Sequence, residues 1–116
     1  MSLEEQIYAQ ALVMVGELTV EQDQLLRVLC RAARATLAGR LREKLTPEDI
    51  RSDFTTAASL YALAALSESD RSPEQFTAGE LTVRRGDSDA AARCLRGQAE
   101  LLLAPYCRDR FAFWGV

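Results

Sequence analysis

From Pro47 to about Ser67 the chain, wound as an α-helix, is apolar on nearly all sides, and such a helix must be buried nearly all round by its own domain or a neighbouring copy. Ile50, Phe54, Ala57, Ala58, Tyr61, Ala64 and Ala65 share one face, and Leu60, Leu63 and Leu66 fill the rest. Its start is marked by Leu45-Thr46-Pro47-Glu48-Asp49-Ile50. Thr46 is the cap, Pro47 takes the first helical position, where a missing N–H matters least, and Asp49 suits both the capping box and the helix dipole. Leu45 and Ile50 can close over that turn as a hydrophobic staple. The longest apolar stretch, Ala57 to Leu66, is interrupted by Ser59 and falls short of the roughly 20 residues that a membrane-spanning helix needs. A protein core is expected to cover it, and no membrane contact is expected.

Other helices arrange themselves around this one. The spacing of Leu3, Ile7, Ala11, Met14 and Val15 predicts a first helix over Leu3 to Val15, ended by Gly16. Thr19-Val20-Glu21-Gln22 has the form of a capping box and opens a second helix, expected to run to about Glu43. Its inward stripe is read as Leu25, Val28, Leu29, Ala32, Ala33, Thr36, Leu37 and Leu41. Ser67 to Pro73 is polar and reads as a surface connection. Glu80 to Arg84 then alternates with period two between Gly79 and Gly86, which predicts a short strand or hairpin arm with Leu81 and Val83 on one face. Such a strand needs a partner for its backbone groups. Asp87-Ser88-Asp89 caps a last helix from Ser88 to Leu103, with Ala92, Leu95, Ala99, Leu102 and Leu103 inward, and Pro105 stops it. The chain closes on Phe111-Ala112-Phe113-Trp114-Gly115-Val116, which either covers the core edge or docks on another subunit. The expected fold is mainly α. About four helices form a bundle within a single domain over residues 1–116, with one short β-strand or hairpin arm before the last helix and an extended aromatic C-terminus.

The chemistry-bearing residues point away from catalysis. Histidine is absent from the 116 residues, which removes the usual general base near neutral pH and the commonest metal ligand. Lys44 is the only lysine, so a serine–lysine dyad has little to draw on, and no glycine pattern cradles a phosphate. Cys30, Cys94 and Cys107 cannot all pair within the chain and have no metal-site spacing, so reduced thiols are expected. Glu48, Asp49 and Asp53 could form an acid/base pair or a magnesium site, but capping and dipole roles account for them without any ligand. The reading is not an enzyme, with no cofactor and no metal. The N-terminus, with Glu4 and Glu5, lacks the form of a secretory signal, and synthesis inside the cell is expected.

Charge is uneven along the chain. Residues 24–44 hold Arg27, Arg31, Arg34, Arg40, Arg42 and Lys44 against Glu43, and Arg27, Arg31 and Arg34 fall on one helix face. That face is either a contact surface for an acidic partner or nucleic acid, or a solvated face balanced by Glu4, Glu5, Glu17, Glu21 and Asp23. With a formal charge of −3, sequence-specific nucleic-acid binding is disfavoured. A small DNA-binding regulator using the basic second helix is the alternative reading.

Phe76-Thr77-Ala78-Gly79-Glu80-Leu81-Thr82-Val83, Leu95-Arg96-Gly97-Gln98-Ala99-Glu100, Leu103-Ala104-Pro105-Tyr106 and Phe111-Ala112-Phe113-Trp114-Gly115-Val116 resemble small proteins of prophage structural clusters in Firmicutes, of the head-tail connector or DNA-packaging adaptor group. The likeness covers residues 76–116 by motif and the rest by helix order. It implies a helical subunit that assembles with copies of itself into a ring beneath the portal, in contact with portal and other neck or tail proteins, with DNA passing through the channel. It also implies assembly in the cytoplasm of a bacterial host and a final place in the virion neck. No catalytic residues come with it. One departure stands: only Gly79 to Asp87 is available for the arm, where connector subunits often carry a longer one. Rings are built by heterologous contacts. The surfaces expected to make them are the Arg27, Arg31 and Arg34 face against the acidic first helix, the arm at Leu81, Val83, Arg84 and Arg85, and the terminal Phe111, Phe113 and Trp114.

Overall fold

The computed structural model describes residues 2–69, 75–78, 81–84 and 88–107. Four α-helices dominate them: α1 (Leu3–Val15), α2 (Val20–Ala38), α3 (Arg51–Glu68) and α4 (Ser88–Leu103). Short 3-10 turns at Pro47–Ile50 and Ala104–Tyr106 precede α3 and follow α4. The backbones of β1 (Gln75–Ala78) and β2 (Leu81–Arg84) pair antiparallel, with Phe76 opposite Val83 and Ala78 opposite Leu81.

Local hydrogen bonds explain where the helices begin. Ser2 caps α1: the Glu5 N–H donates to Ser2 Oγ at 3.2 Å, and the Ser2 N–H donates to Glu5 Oε1 at 3.4 Å. The same reciprocal pair opens α2, at 3.1 Å from the Gln22 N–H to Thr19 Oγ1 and 3.0 Å from the Thr19 N–H to Gln22 Oε1. Gly16 ends α1 at φ 78°, a conformation that favours glycine, while its N–H donates to Leu12 O at 2.8 Å. Before α3, the Thr46 N–H donates to Asp49 Oδ2 at 2.9 Å, so Asp49 closes the turn as its position suggests. The segment from Pro47 nevertheless winds as a 3-10 turn, and the α-helix proper starts at Arg51.

α3 is the axis of the molecule, with α1, α2 and α4 all packed against it. Phe54, Ala57, Ala58, Leu60, Ala62, Leu63, Ala64 and Leu66 are buried, on several sides of the helix. Its own domain therefore supplies the cover that the sequence demands. The alanines let neighbouring backbones come close, while Phe54, Leu63 and Leu66 fill the spaces between them. Ile50, Tyr61 and Ala65, expected inward, are only half-buried. Ser59 is fully buried, and its hydroxyl is shared between Thr55 O at 2.7 Å and Ile7 O at 3.1 Å, which fastens α3 to α1 without an unmet polar group. Ser67, expected to begin the surface connection, is buried in α3 and bonds to Ala64 O at 2.7 Å.

α2 departs from the sequence reading in two ways. It stops at Ala38, not Glu43. Gly39 is a poor helix former, and the next N–H groups switch to closer acceptors, Arg40 to Leu37 O at 3.1 Å and Leu41 to Ala38 O at 3.3 Å. Leu41 then forms an antiparallel bridge with Cys107, and the Arg42 N–H donates to Tyr106 O at 2.9 Å. These long-range bonds replace the helical ones. The second departure is a partial rotation: Ala33, Leu37 and Leu41 are buried as expected, but Leu26 and Cys30 complete the buried stripe, while Leu25 and Leu29 are half-buried and Val28, Ala32 and Thr36 are exposed. α2 carries two stripes of the same i, i+4, i+7, i+11 spacing, Leu25, Leu29, Ala32 and Thr36 beside Leu26, Cys30, Ala33 and Leu37, and the packing against α3 turns the second one inward.

Candidate partner-binding surface

α1 and α2 meet along a charged edge. Arg27, Arg31 and Arg34 lie together on it and are exposed, in keeping with their spacing. Each faces an acid of the same chain. Arg27 Nε lies 3.1 Å from Asp23 Oδ2, while Glu4 of α1 takes both Arg31 Nε at 3.8 Å and Arg34 Nη1 at 3.4 Å. The Arg27 guanidinium also stacks over the Tyr8 ring at 4.2 Å, and the Tyr8 hydroxyl donates to Asp23. That hydrogen bond, then Arg27, holds the Asp23 carboxyl below its ordinary value, and it pushes the Tyr8 hydroxyl up. Exposed pairs of this kind contribute roughly 0–1 kcal/mol each. Their larger consequence is that the cationic edge is compensated from within.

The acidic cluster before and within α3 is likewise engaged within the chain. Glu48 pairs with Arg51, Asp49 accepts from Thr46, and Asp53 Oδ2 accepts from the Tyr106 hydroxyl at 2.8 Å. Among the described residues, no three of Cys, Asp or Glu stand together as a metal site would require. Thr46 holds the Asp49 carboxyl below its ordinary value, Arg96 does the same for Glu68, and Asp53 raises the Tyr106 hydroxyl.

These shifts have a definite sign. The lowered carboxyls Asp23, Asp49 and Glu68 add stability that is complete above their ordinary values of 3.8 and 4.5 and is lost as pH falls through their folded-state values. The raised Tyr8 and Tyr106 add stability that is complete below 10.0 and is lost as pH rises through their folded-state values. Urea midpoints should therefore be level from about pH 5 to about pH 9 and fall on both sides. A midpoint unchanged at about pH 2.5 would contradict the carboxylate contacts.

The cysteines also separate by environment. Cys94 is exposed, whereas Cys30 and Cys107 are buried, and burial pushes the Cys30 thiol up to about 12. A maleimide reagent at neutral pH is expected to modify Cys94 quickly and the other two only after unfolding, as counted by mass spectrometry. Rapid double labelling of the folded chain would contradict this burial.

A groove of about 610 Å³ opens between α1, α3 and α4 on a different face. Met14, Leu60 and Leu102 give it an apolar lining, with Gln98 and Leu101 along the α4 side. Gln10 Nε2 donates to Thr56 Oγ1 at 3.0 Å, and this bond divides the apolar groove from a polar one that continues towards Arg51 and Ser52. Leu101 is 65% exposed, and Val13, beside Met14 on α1, is 85% exposed. On α2, Val20 and Val28 are the other large apolar side chains left in solvent among the described residues.

The sequence reading did not single out this groove. A signal for it does exist. Leu101, Leu102 and Leu103 are consecutive, and on a helix they span about 200° of the wheel, so one core cannot cover all three. Of the other expected contact residues, Leu81, Val83 and Arg84 belong to β2. Arg85, Phe111, Phe113 and Trp114 lie outside the described residues, as do Asp87 and most of the connection to Pro73.

No protein-family model, curated protein or solved structure matches the chain. Among the described residues, no helix is long and apolar enough to cross a membrane.

Proposed function

We propose that this chain is a protein-assembly subunit, and that its assembly is a head-tail connector ring beneath the portal of a phage or prophage particle. The observation that carries the first part is the apolar groove between α1, α3 and α4 with Val13 and Leu101 exposed beside it, since an open apolar surface of this kind on a packed helical domain suits a protein partner. The second part rests on the resemblance over residues 76–116 and on the helix order. In this reading the four helices act as a bundle, the β1–β2 pair is the arm before the last helix, and the aromatic terminus anchors a neighbour. The partners are copies of the chain, the portal and other neck or tail proteins, with DNA passing through without sequence readout. Assembly takes place in the bacterial cytoplasm and ends in the virion neck. The internal pairing of Arg27, Arg31 and Arg34 with Asp23 and Glu4 weighs against phosphate contact as the main task of α2.

The test is the oligomeric state of the full chain across concentration, by light scattering and electron microscopy, alone and with portal. Rings, or mass that rises with concentration and falls on deleting Phe111–Val116, are expected. A strict monomer that also ignores portal overturns the reading. Salt-dependent binding to duplex DNA, lost in the Arg27→Ala/Arg31→Ala variant, would favour the regulator instead.

A further inference from the structure

Independently of the ring, we infer that two copies of the chain pair through the outer face of α4, with the two helices antiparallel and crossing at Gly97. α4 packs on α3 and buries Ala92, Leu95, Ala99 and Leu103 completely. At about 100° per residue, Gly97 lies opposite that stripe. Ala90, Cys94 and Leu101 stand on one side of it, and Arg93 and Glu100 on the other. Ala90, Arg93 and Cys94 are exposed, and Leu101 keeps 65% of its surface in solvent.

Gly97 is the residue that the single chain does not explain. Glycine in the middle of a helix is destabilising relative to alanine. A side chain at this position would meet nothing within 4 Å, and Gly97 is not among the glycines of positive φ. Neither space nor backbone conformation within the chain calls for glycine here. A second backbone passing close above it does.

Charge names the occupant as another α4. Arg93 and Glu100 lie on the same side of the face but about 10.5 Å apart along the axis, too far to pair with each other. Arg96, one turn before Glu100, is already engaged with Glu68. When a second α4 crosses antiparallel about a two-fold axis beside Gly97, Arg93 of each copy comes over Glu100 of the other. Leu101 of each then packs on Ala90 and Cys94 of the other. Each contact is made twice, so the face is complementary to itself. Parallel helices would instead set Arg93 and Glu100 against Cys94 and Leu101. The pair is isologous and closes at two, unlike the heterologous contacts of a ring, and one helix crossing is small enough to make it weak.

Cys94 supplies the readout, since it is exposed beside the crossing while Cys30 and Cys107 are buried. In the full chain a short bismaleimide is expected to link Cys94 to Cys94 of a second copy, with a yield that rises with concentration in step with the mass from light scattering. The link should persist when Phe111–Val116 is deleted. Gly97→Leu improves helix propensity but holds the two helices apart, and should weaken pairing about tenfold or more. Arg93→Glu should weaken it about fivefold, and Arg93→Glu with Glu100→Arg should restore it to within about twofold. Circular dichroism checks that each variant folds, and the charge exchange carries the test alone should Gly97→Leu fail to. No Cys94 link at up to about millimolar concentration overturns the proposal. A link indifferent to Gly97→Leu, or one that the charge exchange does not restore, overturns it as well. Rings that form without the link overturn this pairing and leave the ring reading intact.

Discussion

Phe54→Ala is expected to destabilise the chain by about 3–5 kcal/mol, the usual result of emptying a fully covered aromatic site. Phe54 has no exposed surface and sits in the first turn of α3, the helix on which the other three pack. Small side chains surround it along α3, among them Ala57 and Ala58, so little is available to relax into the space. Against a total stability of about 5–15 kcal/mol for a domain, the loss is a large fraction. Urea titration followed by circular dichroism measures it. A change below about 1 kcal/mol would mean that Phe54 is not packed as described.

Leu26→Asp and Val28→Asp, two residues apart on α2, should behave in opposite ways. Leu26 is fully buried, and a carboxylate there would lie in the core without a partner, at a cost of about 4 kcal/mol or more. Val28 is 56% exposed, and a carboxylate there should change stability by no more than about 0.5 kcal/mol. The pair measures the rotation of α2 directly, since the sequence pattern alone places Val28 inward. Equal effects, or the reverse order, would reject the observed packing.

That rotation shows where sequence reasoning runs out. Ala33 and Leu37 read inward and are inward, but Leu25, Val28, Leu29, Ala32 and Thr36 continue that stripe as convincingly as Leu26 and Cys30 do, and the choice depends on which side fits the surface of α3. The candidate site divides in the same way. Helical spacing alone places Arg27, Arg31 and Arg34 on one face. Asp23 meets Arg27 on the same helix, but Glu4, the partner of Arg31 and Arg34, is 30 residues from Arg34, and only the packing of α1 beside α2 brings them together. From sequence the acids of the first helix can either balance the arginines of the same chain or meet those of another copy, and the packing pairs Glu4 with Arg31 and Arg34 of its own chain. The groove was harder still to foresee, because it is the space left between three helices and depends on how far apart their axes settle.

What the sequence by itself determined is local. The spans Leu3–Val15 and Ser88–Leu103, the start of α2 at Thr19 and the closing of the turn at Thr46 follow from caps and stops that act within three or four residues, and the demand for cover around α3 follows from its composition. What only the tertiary structure decided is relational. It decided the end of α2 at Ala38, where Leu41 bonds to Cys107, the face that α2 turns inward, the acids that the arginines meet, and the groove beside Met14 and Leu102. A cap is settled by a few bonds over a short distance. A helix face or a groove is settled by the summed packing of all its neighbours, whose positions no stretch of sequence carries alone.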